Sequence, residues 1–217
     1  MLIVGALSYA VVAPPAGPRS LKRFDPVRMA DLELRMWRAS YENDRVRLLG
    51  LLVTTLREQY RYSWAVAAIE GFRLARAAAR FSEVQSNYDA VLPDLEAAYT
   101  TARSWLRADF EPAAVARAEL AWWVARRTPG RNDAATVAGL IADEYVLLYE
   151  TSRDLVMFPA QLRAEAAALR DANPERPDWD TIGRLLEESY AALSRALSTQ
   201  YASSRHLPQR SQRSQSI

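Results

Sequence analysis

Residues 87–106, NYDAVLPDLEAAYTTARSWL, and residues 178–197, DWDTIGRLLEESYAALSRAL, align without a gap, and this alignment decides how the chain is read. Asp89 meets Asp180, Leu95 meets Leu186, Glu96 meets Glu187, Tyr99 meets Tyr190 and Leu106 meets Leu197. Tyr88 faces Trp179, and Val91 faces Ile182. The shared apolar positions recur every three or four residues, the period of one face of an α-helix. A third stretch, TVAGLIADEYVLLY, sets Thr136, Val137, Leu140, Ile141 and Tyr145 in the same register, and a fainter fourth ends at Tyr60. The three clear tyrosines, Tyr99, Tyr145 and Tyr190, stand 46 and 45 residues apart.

Each clear copy follows a segment rich in alanine and arginine: ARAAAR at 75–80, ARAELAWW at 116–123 and RAEAAALR at 163–170. The unit is therefore a helical hairpin of about 45 residues, its small Ala-rich helix allowing close approach and its Tyr-bearing helix supplying bulk. A single helix pair cannot bury its apolar face, so such pairs stack and share a core. The spacing lies nearer the ~40–47 residues of HEAT-type units than the ~34 of tetratricopeptide units, without the signature residues of either. Tyr99, Tyr145 and Tyr190 are expected at equivalent places on successive pairs.

Outward from these copies the chain reads as helix after helix. Asp25-Pro26 is an N-cap followed by proline at the first helical position, opening a helix to about Tyr41. Asn43-Asp44 starts a second, to about Tyr60, and Ser63 a third, to Phe81. A fourth covers about 87–107, where Pro93 implies a new start or a kink. Glu111-Pro112 opens a fifth, ended by Thr128-Pro129-Gly130, and Asn132-Asp133 a sixth, to Glu150. A seventh spans about 153–172, and Asp178 caps the last, from Trp179 to about Ala202. Nowhere do β-branched residues alternate with polar ones between turn signals. The expected fold is all-α, seven to eight helices in antiparallel hairpins, arranged as an α-solenoid-like repeat or an irregular bundle. Its divisions are an apolar segment and Pro-rich linker at 1–25, one helical domain at 26–202 and a disordered basic tail at 203–217.

Composition removes many chemistries. The 217 residues include no cysteine, which excludes disulfides, thiolate metal sites, iron–sulfur clusters and cysteine nucleophiles. The one histidine, His206, lies in the tail, so the helical body has no His-based triad or metal site. Lys22 is the only lysine, and it stands in the linker, which argues against Schiff-base chemistry. The seven glycines are scattered singly and form neither phosphate-cradling loop nor dinucleotide turn. A net charge of +2 without a basic stripe gives no reason to expect nucleic acid. No catalytic, cofactor-binding or metal residues are assigned.

The run LIVGALSYAVVA, Leu2 to Ala13, is uncharged, apolar and stopped by Pro14 and Pro15. It is shorter than the ~20 residues of a spanning helix and has the length of a signal-peptide core, though no basic region precedes it. Whether the true start lies upstream of Met1 is left open by the sequence; the expectation is a signal or anchor remnant outside the soluble fold. That places the domain at a membrane or outside the cytoplasm; the alternative is a cytoplasmic protein whose first helix packs on the body.

Two carboxylates stand out on helical faces. Glu119 lies in a stripe with Val115, Trp122 and Arg126, and Glu144 in one with Val137, Ile141 and Leu148, beside Tyr145 and Tyr149. A buried glutamate needs a cation or hydroxyl partner, or its pKa rises. Glu119, Arg126, Glu144, Tyr145 and Tyr149 are therefore expected to form a buried polar network. Three functions are compatible: a non-enzymatic interaction or scaffold domain for a protein partner, favoured by the repeat; a module for a small apolar or amphipathic ligand, using a cavity among the Trp/Tyr-rich helices; and a metal-free enzyme using buried Glu, Arg and Tyr. No cofactor is implied, and the oligomeric state is open.

Overall fold

The computed structural model describes residues 11–205, with side chains as far as residue 199. Eight α-helices follow one another among these residues, with no strand: α1 Pro26–Tyr41, α2 Arg45–Tyr60, α3 Trp64–Glu83, α4 Leu92–Leu106, α5 Pro112–Arg127, α6 Ala134–Tyr149, α7 Arg153–Ala172 and α8 Trp179–Arg205. The starts follow the capping residues. Asp25, Asp44, Ser63, Asp133 and Asp178 accept from the backbone N–H groups of Arg28, Arg47, Val66, Thr136 and Thr181 at 2.9–3.3 Å, satisfying one otherwise unpaired donor each. Pro93 marks a new start: a 3-10 turn, Tyr88–Val91, precedes it, and α4 begins at Leu92.

Each helix packs on its neighbours in the sequence, and α8 returns to pack along α1. The hairpins α1–α2, α3–α4, α5–α6 and α7–α8 thus close into a ring. Three of the four second helices end alike: Arg61, Arg107 and Glu150, which follow α2, α4 and α6, take left-handed φ values of 56°, 55° and 47°. A non-glycine residue there costs on the order of 1 kcal/mol, so the same turn is imposed by packing at three places. The core runs through most of the ring, from Leu56 and Val91 through Val115, Ile141 and Val156 to Leu197. A separate apolar cluster of Ala30, Ala166, Ile182 and Leu186 seals α1 against α7 and α8.

Two boundaries differ from expectation. The second half of the Pro-rich linker lies against the body. Leu21 is buried, Phe24 packs on the core, and the Arg19 guanidinium sits 4.4 Å from the centre of the Trp105 ring. The Arg61 guanidinium also donates to the Ala16 carbonyl. Leu21 and Phe24 are the two large apolar side chains of that stretch; fully burying one such as Leu21 is worth about 1.5–3 kcal/mol, and the half-buried Phe24 adds less. At the other end, residues 203–205, expected in the tail, continue α8. The apolar run up to residue 10 and the tail from His206 onward lie outside the described residues. Among the described residues no helix is long and apolar enough to cross a membrane.

The α2–α3 crossing depends on Gly71, where an added Cβ would stand 2.8 Å from Val53 Cγ2. Helix propensity alone favours alanine by about 1 kcal/mol, while overpacking costs about 1–3 kcal/mol. Gly71→Ala is therefore expected to lower stability by roughly 1 kcal/mol in denaturant unfolding. The same change made on Val53→Ala, which removes the obstructing methyl, is expected to stabilise. A Gly71→Ala variant more stable than the wild type would contradict this packing.

Candidate ligand cavity

The ring surrounds a cavity of about 270 Å³ to which every helix contributes. The contributions alternate. The first helix of each hairpin supplies a charge, Glu33, Glu70, Glu119 and Arg163 in turn; the second supplies a tyrosine, Tyr60, Tyr99, Tyr145 and Tyr190. Each charge precedes its tyrosine by 26–29 residues. The repeated tyrosines of the sequence, with Tyr60, thus all border one space, each from the second helix of its pair. Glu144, Tyr149, Trp122 and Trp123 complete much of the wall.

At the seam where α8 meets α1, Arg163 donates through Nε to Glu33 Oε1 at 3.0 Å and through a terminal nitrogen to the same oxygen at 2.9 Å. The Tyr190 hydroxyl donates to Glu33 Oε2 at 2.6 Å. Glu33 is 3% exposed, so its charge is matched within the fold. Burial alone would lower the Arg163 pKa, but Glu33 and the neighbouring Tyr145, Tyr190 and Glu144 raise it well above the usual value. On α3, Glu70 is also 3% exposed and is paired with Arg73 at 2.6 Å.

Glu119 and Glu144 differ. Neither forms an ion pair with any arginine among the described residues. Glu144, 6% exposed, accepts from the Trp122 indole N–H at 2.6 Å and lies 3.5 Å from the Tyr99 hydroxyl. The Tyr99 hydroxyl also lies near enough to Glu119 to favour its ionised form. One hydroxyl carries one proton and can donate to only one of the two carboxylates.

Electrostatics points the same way. Burial, and then the charge on Glu144, raises the Glu119 pKa to about 8, against the lowering effect of Tyr99 and Arg163. Burial also raises Glu144, with Arg163, Trp122 and Tyr99 opposing. Glu119 keeps some accessible surface although protein surrounds it, because that surface faces the cavity. Burial pushes the tyrosines up as well, Tyr145 to about 12, so they act here as neutral hydroxyls. The arrangement can accept hydrogen bonds, hold a proton between two carboxyls and present aromatic faces to an occupant.

Of the five residues expected in a network, Glu119, Glu144, Tyr145 and Tyr149 border the cavity. Arg126 does not. It reaches away from the cavity to Asp171 at the end of α7, at 2.5 Å, because one turn along α5 from Trp122 carries it past the cavity. Its expected place beside the carboxylates is taken by Arg163 of α7. Sequence reasoning missed Arg163, Glu33 and Glu70; the signal that finds them is their similar distance, 26–29 residues, ahead of the repeated tyrosines. Searches against protein-family models, curated proteins and solved structures find nothing that matches this chain.

The raised Glu119 pKa has a thermodynamic consequence. Below pH ~4.3 the carboxyl is protonated in both folded and unfolded chains. Between there and about 8 the unfolded chain ionises first, so stability falls as pH rises. Glu119→Gln, which keeps the neutral shape, is expected to change stability little at pH 5 and to raise it by on the order of 2 kcal/mol at pH 8.5. Thermal unfolding at the two pH values checks this, and an equal effect at both would contradict it.

Proposed function

We propose that this chain is a helical binding protein that encloses a small molecule at the centre of its ring. The observation that carries the reading is the lining of the cavity. All eight helices send side chains to one space, and the polar groups there exceed what the fold needs to satisfy itself. A core built only for stability fills such a volume with aliphatic side chains, since each buried carboxylate without a counter-charge is costly. The aromatic walls, with a few convergent polar groups, are the usual composition of a small-molecule site. The occupant is held by charge and hydrogen bonds as well as by apolar contact, the amphipathic case of the expected ligand.

A second reading, an interaction scaffold, is favoured by the outer surface of α3. There Ile69 and Phe72 are 60% and 63% exposed, one turn apart, beside exposed Ala68. Under that reading, Ile69→Lys with Phe72→Lys removes a partner protein recovered by cross-linking in the host and leaves the cavity occupant in place.

The binding reading is tested by native mass spectrometry of protein purified gently from its own host, followed by denaturing extraction. The expected result is a retained small molecule that leaves on unfolding. Ala98 borders the cavity, so Ala98→Phe is expected to fold and to lose that mass. Apoprotein alone from the wild type, or the same adduct on Ala98→Phe, would count against the reading.

A further inference from the structure

The class of occupant follows from the charges that face the cavity, helix by helix. From α1 comes Glu33, from α3 Glu70, from α5 Glu119, from α6 Glu144 and from α7 Arg163; α2, α4 and α8 add Gln59 and the hydroxyls of Tyr60, Tyr99 and Tyr190, with those of Tyr145 and Tyr149 from α6. Arg163 is matched to Glu33, and Glu70 to Arg73. Glu119 and Glu144 remain, neighbours with only neutral donors on them. Among the described residues Arg163, already paired to Glu33, is the one cation near both, so three carboxylates share a single positive charge. The excess requires either a retained proton or an added positive charge.

The aromatic wall favours the positive charge. The Arg163 guanidinium already stands 5.3 Å from the centre of the Trp122 ring, whose N–H is on Glu144. The negative face of an indole or phenol attracts a cation within about 6 Å, most strongly where water is excluded. A metal ion is a poorer fit: among the described residues no group of three or more His, Asp or Glu side chains is arranged to hold one. The volume, about 270 Å³, is many times the ~10–15 Å³ that a single water needs. That suits a compact organic cation.

We propose that the occupant of the central cavity is a small organic cation, an ammonium or methylated ammonium on a short carbon skeleton. It sits against Glu119 and Glu144 with the tyrosine and tryptophan rings around it. This rests on reading the cavity as a binding site. The cation supplies the charge that a retained proton otherwise supplies, so its entry expels that proton to solvent. Affinity consequently rises with pH through the range in which the raised carboxyl of Glu119 ionises.

The experiment is calorimetric titration of the full chain, freed of any endogenous occupant, with choline, n-butylammonium and agmatine. The neutral isostere 3,3-dimethylbutan-1-ol and the anion butyrate serve as comparisons. At least one cation is expected to bind saturably, at least tenfold tighter than the neutral isostere and the anion. Its apparent enthalpy is expected to depend on buffer ionisation, which reports proton release. Glu119→Gln/Glu144→Gln is expected to weaken that cation at least tenfold. Glu119→Gln alone, expected to be the more stable protein at high pH, is expected to weaken it and to reduce proton release should the double variant not fold. The proposal is overturned if no cation binds, if the alcohol or butyrate binds as tightly, or if the carboxamide variants bind undiminished. Native mass spectrometry separates the two failures: a neutral or anionic adduct retires the cation and leaves the binding site, whereas no adduct with no titratable binding retires both.

Discussion

Glu33 and Arg163 stand 130 residues apart in the chain and meet inside the ring, joined there by Tyr190. The architecture depends on that meeting, because α1 and α8 are the two ends of the helical array. An open stack of hairpins leaves the inner faces of its terminal helices to water and needs polar caps. Here the ends cover each other. A buried charge pair contributes little net stability compared with an apolar pair of equal volume, but breaking it strands a charge at a cost of about 3–5 kcal/mol. The seam therefore favours the one register in which Glu33, Arg163 and Tyr190 come together, while Ala30, Ala166, Ile182 and Leu186 supply the apolar burial.

Closure also creates the cavity. Four hairpins in a ring converge their inner faces on a common centre, and small residues at the crossings set how near the helices come. Gly183 is one such point, where an added Cβ would stand 3.1 Å from Leu34 Cδ2 across the α8–α1 seam. The centre is lined by long polar and aromatic side chains whose hydrogen bonds are directed at one another. Two of the four glutamates are neutralised by arginine and two are not. The unequal treatment of chemically identical groups separates the structural part of the interior from the part open to an occupant.

Much of this was legible in the sequence. The helix starts followed from Asp25, Asp44, Ser63, Asp133 and Asp178, because capping is a local interaction within three residues. The all-α class followed from periodicity, and the hairpin unit from the alignment of 87–106 with 178–197. The burial of Glu119 and Glu144 was readable from the stripes they share with apolar residues. Ring closure was not readable, since nothing local distinguishes a stack that stays open from one whose ends meet. The place of Arg126 failed for a related reason: a stripe on a helix wheel gives the angle of a side chain but not its height along the axis. Arg126 has the angle of Trp122 and lies a turn too far along α5 to reach the cavity. Arg163, read as part of an Ala-rich packing helix, carries the charge that organises the seam. The packing of Leu21 and Phe24 was hidden by the prolines around them, which signal the absence of a helix and not the absence of contact.

The central claim is that the helical array closes on itself, and the absence of cysteine makes that claim directly measurable. Leu34 and Gly183 face each other across the seam, so cysteines at these two positions are the only thiols in the chain. Mild oxidation followed by peptide mass spectrometry and gel mobility reads which molecules they join. A closed ring gives a disulfide within one chain at high yield and low protein concentration, with the helical circular dichroism unchanged. Thiols that stay free, or that link only one molecule to another, would contradict closure.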